Sequence, residues 1–268
     1  MLKITNLQKT FNPGTVNAKT ALCGFDLTLE DGDFVTVIGG NGAGKSTMLN
    51  AIAGVWKPDY GTIEIDGVDV TSMPEHKRAQ FLGRVFQDPM KGTAPDMEIA
   101  ENLSIAARRG KKRKLVWGIR KSERKQYKEL LATLELGLEE RLSCKVGLLS
   151  GGQRQAITLL MATLNRPKLL LLDEHTAALD PKTAAKVLEI TDKLVSENHL
   201  TTLMITHNMH DAIAYGNRLI MLHEGRVVVD VRGEEKQKLT ISKLLGLFEQ
   251  NSGSHFTSDK EILSAKHS

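Results

Sequence analysis

Apolar and polar residues alternate, or apolar residues run together, in short segments over the first seventy residues of the chain. These patterns predict strands, and glycines with a lysine follow the third of them, directly before a predicted helix. The predicted strands are Leu2–Leu7, Ala21–Leu29, Phe34–Ile38 and Gly61–Asp66, and the predicted helix is Ser46–Ala53.

The rest of the chain also alternates between strand and helix patterns. Further strands are predicted at Gly83–Gln87, Lys168–Asp173, Thr201–Thr206, Arg218–His223 and Arg226–Val231. A helix is predicted after Pro181, with Val187, Ile190 and Leu194 on one face, and another at Ile241–Phe248. Helices and loops dominate from about residue 88 to 165. This order predicts an α/β core that carries an inserted helical subdomain. We expect one domain over residues 1–250 and a polar tail over 251–268.

Composition excludes several classes of protein. Hydrophobic residues make up 41% and charged residues 25% of the 268-residue chain, as in ordinary soluble domains. The longest apolar runs, such as Leu169–Leu172, fall far short of the ~20 residues that cross a bilayer. Met1 leads straight into strand-like sequence, so we expect no secretory signal. Cys23 and Cys144 form no CxxC pair and are interpreted as small core residues in a reducing compartment.

Positive charge is concentrated in one segment. Residues 108–128 contain eleven Lys or Arg against Glu123, whereas the rest has 25 basic and 31 acidic residues. A solvated loop is the simplest interpretation. Contact with anionic lipid or an acidic membrane partner is a second one. Trp117 and Tyr127 lie within the segment, so nucleic-acid binding by stacking is a third, which we do not expect.

A glycine-rich loop with the spacing GxxxxGK[ST] follows the third strand and precedes the first helix. Its backbone N–H groups can approach phosphates closely, and the helix start adds partial positive charge. The lysine would reach the β- and γ-phosphates, and the following serine would hold Mg²⁺. The loop residues are Gly39, Gly40, Asn41, Gly42, Ala43, Gly44, Lys45, Ser46 and Thr47.

Two carboxylates follow the apolar strand that ends at Leu172. The carboxyl ends of parallel strands are where open α/β sheets bind ligands. Asp173 is the candidate acid on the Mg²⁺ side, and Glu174 the candidate general base for an attacking water.

A second glycine-rich turn, Leu149-Ser150-Gly151-Gly152-Gln153, begins a predicted helix that runs to Leu164. Ser150 is a natural N-cap, and the helix start can again face an anion. Two such helix starts about a hundred residues apart suggest that they meet across a dimer, with nucleotide between them.

These motifs occur in the order found in ABC-family nucleotide-binding subunits, which the chain resembles over about residues 1–245. The resemblance makes residues 39–47 the Walker A motif, 169–174 Walker B and 149–153 the signature. It implies a P-loop NTPase core with a parallel central sheet, an antiparallel β subdomain and an inserted helical subdomain.

The resemblance also assigns single residues. Gln87 matches the family's glutamine loop, which touches Mg²⁺ and water. His207 matches the histidine that contacts the γ-phosphate, although a lone histidine is more often structural. Asp180 matches a loop that crosses to the other protomer. Phe11 matches an aromatic residue that stacks on adenine, with an ordinary core phenylalanine as the alternative.

The chain departs from the family pattern at two positions. His175 stands where many relatives carry Pro after the catalytic Glu, and Ala177 stands where Ser is common. Neither supplies the chemistry, so we expect competent catalysis. Because His175 adjoins Glu174, one hypothesis is that it affects the pH dependence of the rate.

The resemblance implies an ATPase that uses ATP and Mg²⁺ and closes head to tail with a second ATPase subunit. Its further partners would be integral membrane permease subunits and, indirectly, a substrate-binding protein, at the cytoplasmic face of the membrane. Uptake of a small solute such as an amino acid is favoured, since no membrane span is predicted and importers of this family commonly keep motor and permease on separate chains. Residues 173–181 are similar to motors of the tryptophan/tyrosine group. An exporter motor, or a soluble ABC ATPase of repair, translation or cluster assembly, remains an alternative.

Overall fold

The computed structural model describes residues 1–111 and 118–252. The chain divides into two units. The first comprises Met1–Met73 and the chain from Leu203 onward, and the second is Pro74–Thr202. Each unit carries one part of the predicted chemistry, and each is described by itself.

The first unit contains a four-stranded antiparallel sheet in the order β2-β1-β4-β5. Leu2, Ile4 and Leu7 point into its core. Asn6 has φ +47°, and the register shifts there, so the regular alternation of the sequence ends while the strand continues. The strand therefore extends four residues beyond the prediction. The strands are β1 (Leu2–Phe11), β2 (Lys19–Leu29), β4 (Tyr60–Ile65) and β5 (Val68–Asp69).

The other strands of the first unit follow the order β10-β9-β3-β8. β3 pairs in parallel with β9, and β9 pairs antiparallel with β10. These strands are β3 (Phe34–Gly39), β8 (Thr202–Ile205), β9 (Arg218–His223) and β10 (Arg226–Arg232). The helices of this unit are α1 (Lys45–Ala53), α7 (Met209–Ala214), α8 (Gly233–Gln237) and α9 (Ile241–Ser252).

The second unit contains two parallel strands, β6 (Leu82–Val85) and β7 (Leu169–Asp173). All four leucines of β7 are buried, as expected for a strand covered on both faces. The helices are α2 (Glu75–Arg78), α3 (Ile99–Ala107), α4 (Lys121–Ala132), α5 (Gly151–Thr163) and α6 (Pro181–Asn198), with short 3₁₀ turns at Glu139–Arg141 and Val146–Leu148.

The predicted α/β fold with an antiparallel sheet is confirmed. The short elements β5, α2, α7 and α8 were not predicted, and the other differences lie at element ends. The strand predicted to reach Gln87 ends at Val85. The helix predicted to reach Leu164 ends at Thr163, and it buries polar Gln155 and Thr158 as well as its apolar residues. The predicted helical block, about 88 to 165, falls within the second unit, and its exact limits stay a prediction. Of the predicted tail, only Asn251 and Ser252 are described, as the end of α9.

Candidate functional site

The glycine-rich loop of the first unit connects β3 to α1 and needs glycine at two points. Gly39 has φ +151°, and a Cβ there would lie 2.4 Å from the carbonyl oxygen of Leu222. Gly44 has φ +101°, and its Cβ would lie 2.5 Å from the carbonyl oxygen of Ala21. Because both obstacles are backbone atoms, a side chain at either position would displace the loop.

The start of α1 suits an anionic ligand. No side chain caps its first turn, and no acidic residue lies in that turn. Lys45 is buried, and its Nζ donates hydrogen bonds to the carbonyl oxygens of Gly39 at 2.5 Å and Gly40 at 3.1 Å. Ser46 is exposed beside it. Basic and N–H groups thus collect here, as expected for a phosphate cradle.

Phe11 lies at the end of β1 and is only half-buried. Its ring meets Trp56 edge to face, with centroids 5.3 Å apart. Lys9 lies 5.7 Å from the ring centroid and pairs with Asp59 at 2.9 Å. A partly exposed aromatic ring can stack on a base. Its predicted role toward adenine stays a prediction.

His207 is exposed in a short connection that is fixed on both sides. The N–H of Thr206 donates to Val37 of β3 at 3.1 Å, and Asn208 caps α7 through the N–H groups of His210 and Asp211. β3 runs into the glycine-rich loop two residues after Val37. The histidine therefore follows β8 at the same sheet edge as that loop, which is where its predicted role requires it.

Asp173 and Glu174 end β7 in the second unit. Arg84 on β6 places its NH2 3.5 Å from Asp173 Oδ2, and its guanidinium carbon lies 4.6 Å from the centroid of the Phe86 ring. Burial raises the pKa of Asp173, with Glu174 adding to the rise and Arg84 opposing it. Glu174 adopts φ +49°, which is unusual for a residue other than glycine and is frequent at functional sites.

His175 is a core residue. It is buried, and its Nε2 lies 3.0 Å from Thr191 Oγ1 on α6. Burial lowers its pKa to about 4, so the imidazole is neutral near pH 7. A ring that is neutral near pH 7 disfavours the hypothesis that His175 affects the pH dependence of the rate near neutrality, and that hypothesis stays a prediction.

The signature turn begins α5 with a complete capping box. Ser150 Oγ accepts a hydrogen bond from Gln153 N, and Gln153 Oε1 accepts one from Ser150 N, both at 3.3 Å. A Cβ on Gly152 would lie 2.1 Å from Thr183 Cγ2, and one on Gly151 would lie 3.2 Å from Leu179 Cδ2. The signature glycines thus allow close packing against the start of α6.

Asp180 caps α6, and its carboxylate accepts a hydrogen bond from Thr183 N at 3.1 Å. Hydrogen bonding to Thr183 lowers the pKa of Asp180. The segment assigned to cross to a second protomer therefore packs directly beside the signature turn. That crossing stays a prediction.

Gln87 is exposed two residues after β6. The preceding carbonyl, that of Phe86, accepts a hydrogen bond from Gln155 Nε2 at 3.1 Å. Arg154 donates to the carbonyl oxygens of Val146, Gly147 and Leu149 and contacts the sulfur of Met90 at 2.6 Å. The first turns of α5 therefore contact the residues on both sides of Gln87 and stabilise that segment.

Three residues near these groups were missed by sequence reasoning, Arg84, Arg154 and Gln155. Gln155 is fully buried, and its Oε1 has no hydrogen-bond partner among the described residues. A signal was available, since each is a polar residue within or beside a predicted apolar element. Such residues are costly to bury without a purpose.

Part of the described basic segment forms ion pairs or hydrogen bonds within the second unit. Arg108 and Arg124 pair with Glu123 and Glu98, and Lys128 pairs with Glu140. Arg109 donates to the carbonyl oxygen of Ala162. Tyr127 is buried and is not available for stacking on bases, which disfavours the nucleic-acid interpretation. Trp117 lies outside the described residues.

The predicted residues fall into two groups. The first unit holds the loop residues 39–47, Phe11 and His207, and the second holds Gln87, Asp173, Glu174 and the signature turn. Over residues 1–111 and 118–252, none of the helices combines the length and apolar character needed to cross a bilayer.

A family model described as "ABC transporter" matches residues 22–177. The chain belongs to this family. It is 49% identical to a tyrosine transport ATP-binding protein of Clostridioides difficile, over 93% of this chain and 99% of that protein. It is 35% identical to a methionine import ATP-binding protein, MetN 2, of Enterococcus faecalis, over 85% of this chain but 64% of that protein.

Solved structures of ABC cassettes share the fold. The dimeric post-hydrolysis structure of the ATP-binding cassette MJ0796 with ADP and Pi has a TM-score of 0.73 at 33% identity, covering 87% of this chain and 98% of that one. The ADP form of cassette MJ1267 has a TM-score of 0.76 at 27% identity, covering 92% and 98%. This ABC chain is an ATP-binding, ATP-hydrolysing subunit, as the resemblance implied.

Proposed function

We propose that this ABC ATPase powers the uptake of an amino acid, with tyrosine the first candidate. The observation that carries the proposal is the 49% identity to a tyrosine transport ATP-binding protein along 99% of that relative's length. An ABC motor does not contact the cargo, so overall similarity of the motor is the available guide to the solute.

The proposed chemistry is transfer of the γ-phosphoryl group of ATP to water. Lys45 and the backbone of residues 39–44 would hold the phosphates, and Phe11 would stack on the base. Glu174 would orient and deprotonate the attacking water, and His207 would contact the γ-phosphate. Such reactions depend on positioning and charge neutralisation rather than on covalent intermediates.

The proposed metal ligands fit Mg²⁺. The hydroxyl of Ser46, the amide oxygen of Gln87 and the carboxylate of Asp173 are all oxygen donors, which Mg²⁺ prefers. When bound, the ion would neutralise charge on the phosphates. Burial raises the pKa of Asp173 and Arg84 opposes that rise, and a bound cation would favour the charged carboxylate in the same way as Arg84.

The proposed assembly is a head-to-tail dimer in which the Ser150–Gln153 turn of one protomer completes the nucleotide site of the other. Permease subunits would bind the segment around Gln87, and a substrate-binding protein would act through them. This arrangement places the chain at the cytoplasmic face of the membrane. Its support is the pair of glycine-rich helix starts and the dimeric cassette among the structural relatives.

The substitution Glu174→Gln tests the mechanism. It removes the general base but keeps the size of the side chain, so we expect the ATPase rate to fall by about 10²–10⁴-fold. ATP should remain bound, and gel filtration with Mg-ATP should show accumulated dimer. Glu197→Gln, an exposed change on α6, is the matched control and should hydrolyse ATP like the wild type.

Uptake tests the cargo. Cells that lack the chain should regain uptake of labelled tyrosine when they express the wild type, but not when they express Glu174→Gln.

Normal ATP hydrolysis by Glu174→Gln would refute the assignment of Glu174 as the general base. Restored uptake of methionine but not of tyrosine would refute the cargo.

An export role is the second candidate. A lipoprotein-releasing system ATP-binding protein, LolD 1 of Caulobacter vibrioides, is 35% identical over 96% of its length. Its lower identity makes uptake the better supported proposal. Loss of the chain would affect release of lipoproteins rather than tyrosine uptake if export were its role.

A further inference from the structure

Lys19 is the first residue of β2 and lies opposite Phe11 in the β1–β2 register. Side chains directly opposite one another in an antiparallel pair project from the same face of the sheet. Lys19 therefore shares a face with the aromatic ring proposed to stack on adenine. It played no part in the sequence motifs, because it precedes the glycine-rich loop by twenty residues.

The tip of Lys19 lies over the glycine-rich loop. A Cβ built on Gly42 would be 3.1 Å from Lys19 Nζ and 4.0 Å from its Cε. Gly42 is exposed at the middle of the loop, with φ +80°. An ammonium group thus stands above the part of the loop where phosphates are expected, on the side of Phe11.

This ammonium lacks a counter-charge in the described ranges. The side chain of Lys19 forms neither an ion pair nor a hydrogen bond there, although Lys9 on the same hairpin is paired with Asp59 at 2.9 Å. Two further features of the loop are positive or partly positive, namely Lys45 and the start of α1, which has no acid in its first turn. Groups of like sign gathered in this way favour an anionic ligand.

We propose that Lys19 is a nucleotide-binding residue whose ammonium contacts the polyphosphate of ATP or ADP between the loop and Phe11. The proposal rests on the proposed nucleotide site. A nucleotide whose base stacks on Phe11 and whose phosphates occupy the loop would pass Lys19, because that side chain lies on the same face as Phe11 and its ammonium lies beside Gly42. Lys19 would then supply a second ammonium besides Lys45.

Lys19→Met tests this assignment, since it removes the charge and retains most of the stem. Titration calorimetry with Mg-ATP and Mg-ADP should show Kd values about tenfold higher than for the wild type, the size of effect expected for one partly exposed charge-assisted contact. The ATP affinity of the wild type should also fall more steeply than that of the variant between about 50 and 500 mM salt, because salt screens the contact between Lys19 and the phosphates, which the variant lacks. Lys19→Arg should restore most of the affinity.

Lys3→Met is the matched control, because Lys3 is exposed on β1 opposite Thr28, at the other end of the hairpin. It should bind both nucleotides like the wild type. Equal affinities for Lys19→Met and Lys3→Met would overturn the assignment of Lys19. Lys45→Ala separates the two proposals. If the wild type binds ATP and Lys45→Ala does not, while Lys19→Met binds normally, only the Lys19 inference fails. A wild type that binds no ATP would refute the nucleotide site itself.

Discussion

α1 and α5 both begin at glycine-rich turns, and the residue before each helix differs in conformation and in chemistry. Gly44 precedes α1 in the left-handed region, with φ +101° and no side-chain cap. Ser150 precedes α5 in an extended conformation, with φ −62°, and caps the helix together with Gln153. One start leaves its first turn without a side-chain acceptor, and the other supplies its own.

The two helix starts therefore differ in whether their first turn is already capped before an anion binds. The first turn of α5 is stabilised before any ligand arrives, so the signature can dock as a rigid surface. The first turn of α1 lacks such a cap and depends on glycine to bring the loop close to its neighbours. A phosphate at α1 would therefore contribute both binding and local order.

Gly44→Ala is the strongest test of this contrast. The added Cβ would meet the carbonyl oxygen of Ala21 at 2.5 Å in a conformation that alanine rarely adopts. We expect ATP affinity to fall by more than about 100-fold, which corresponds to roughly 3 kcal/mol. Titration calorimetry measures it, and Gly246→Ala on α9, with open space around it, serves as the control. Wild-type affinity in Gly44→Ala would show that the loop tolerates displacement.

Gly152→Ala should have a smaller effect that a second change reverses. Its Cβ would approach only Thr183 Cγ2, a side-chain atom, at 2.1 Å. We expect the ATPase rate of the dimer to fall by about tenfold, since overpacking typically costs ~1–3 kcal/mol. Gly152→Ala combined with Thr183→Ser removes that methyl group and should recover most of the rate. A double variant as slow as the single one would show that the glycine is needed for ligand contact and not for packing.

Acid should affect α6 and α1 unequally, and this is the smallest of the three expected effects. The pKa of buried His175 is about 4 in the folded state against 6.5 for the free side chain. The contribution of His175 to the free energy of unfolding is therefore fully present above pH 6.5 and is lost as the pH falls toward 4. Between these two pH values only the unfolded state takes up the proton. By pH 5.5 the loss is about 1.4 kcal/mol.

The hydrogen-exchange protection factors of α6 amides, where Thr191 contacts His175, should fall by about tenfold between pH 7.5 and 5.5, and those of α1 amides should not. His175→Gln should remove that loss of protection. The same variant should keep the wild-type pH–rate profile between pH 6.5 and 9. A shifted profile would restore the earlier hypothesis that His175 acts on Glu174.

The sequence predicted what depends on local spacing. The glycine-rich loop, the two carboxylates after β7 and the capped start at Ser150 all follow from residues within a few positions of one another. The strands at Phe34–Gly39 and Arg218–His223 were found to within one residue, because continuous apolar runs between turn residues mark buried strands.

What the sequence could not predict depends on contacts between distant residues. The burial of His175 against Thr191, the support of Phe86 by Gln155 and the position of Lys19 over Gly42 join residues 16, 69 and 23 positions apart. No periodicity encodes such pairs. β1 was predicted too short for a related reason, since tertiary pairing continues past the irregular residue Asn6.

The glycine-rich loop lies early in the chain, but its supports lie late. β3 pairs with β9, whose register joins Val35 to Arg218, and Gly225 donates a hydrogen bond to the carbonyl oxygen of Ala43. At ~5–20 residues per second, a ribosome needs roughly 10–40 s to add the intervening residues. A growing chain would therefore carry the complete phosphate motif for that time without the strand that shapes it. Nascent chains should hydrolyse no ATP before they are nearly finished, so ATP is consumed only by molecules ready to assemble.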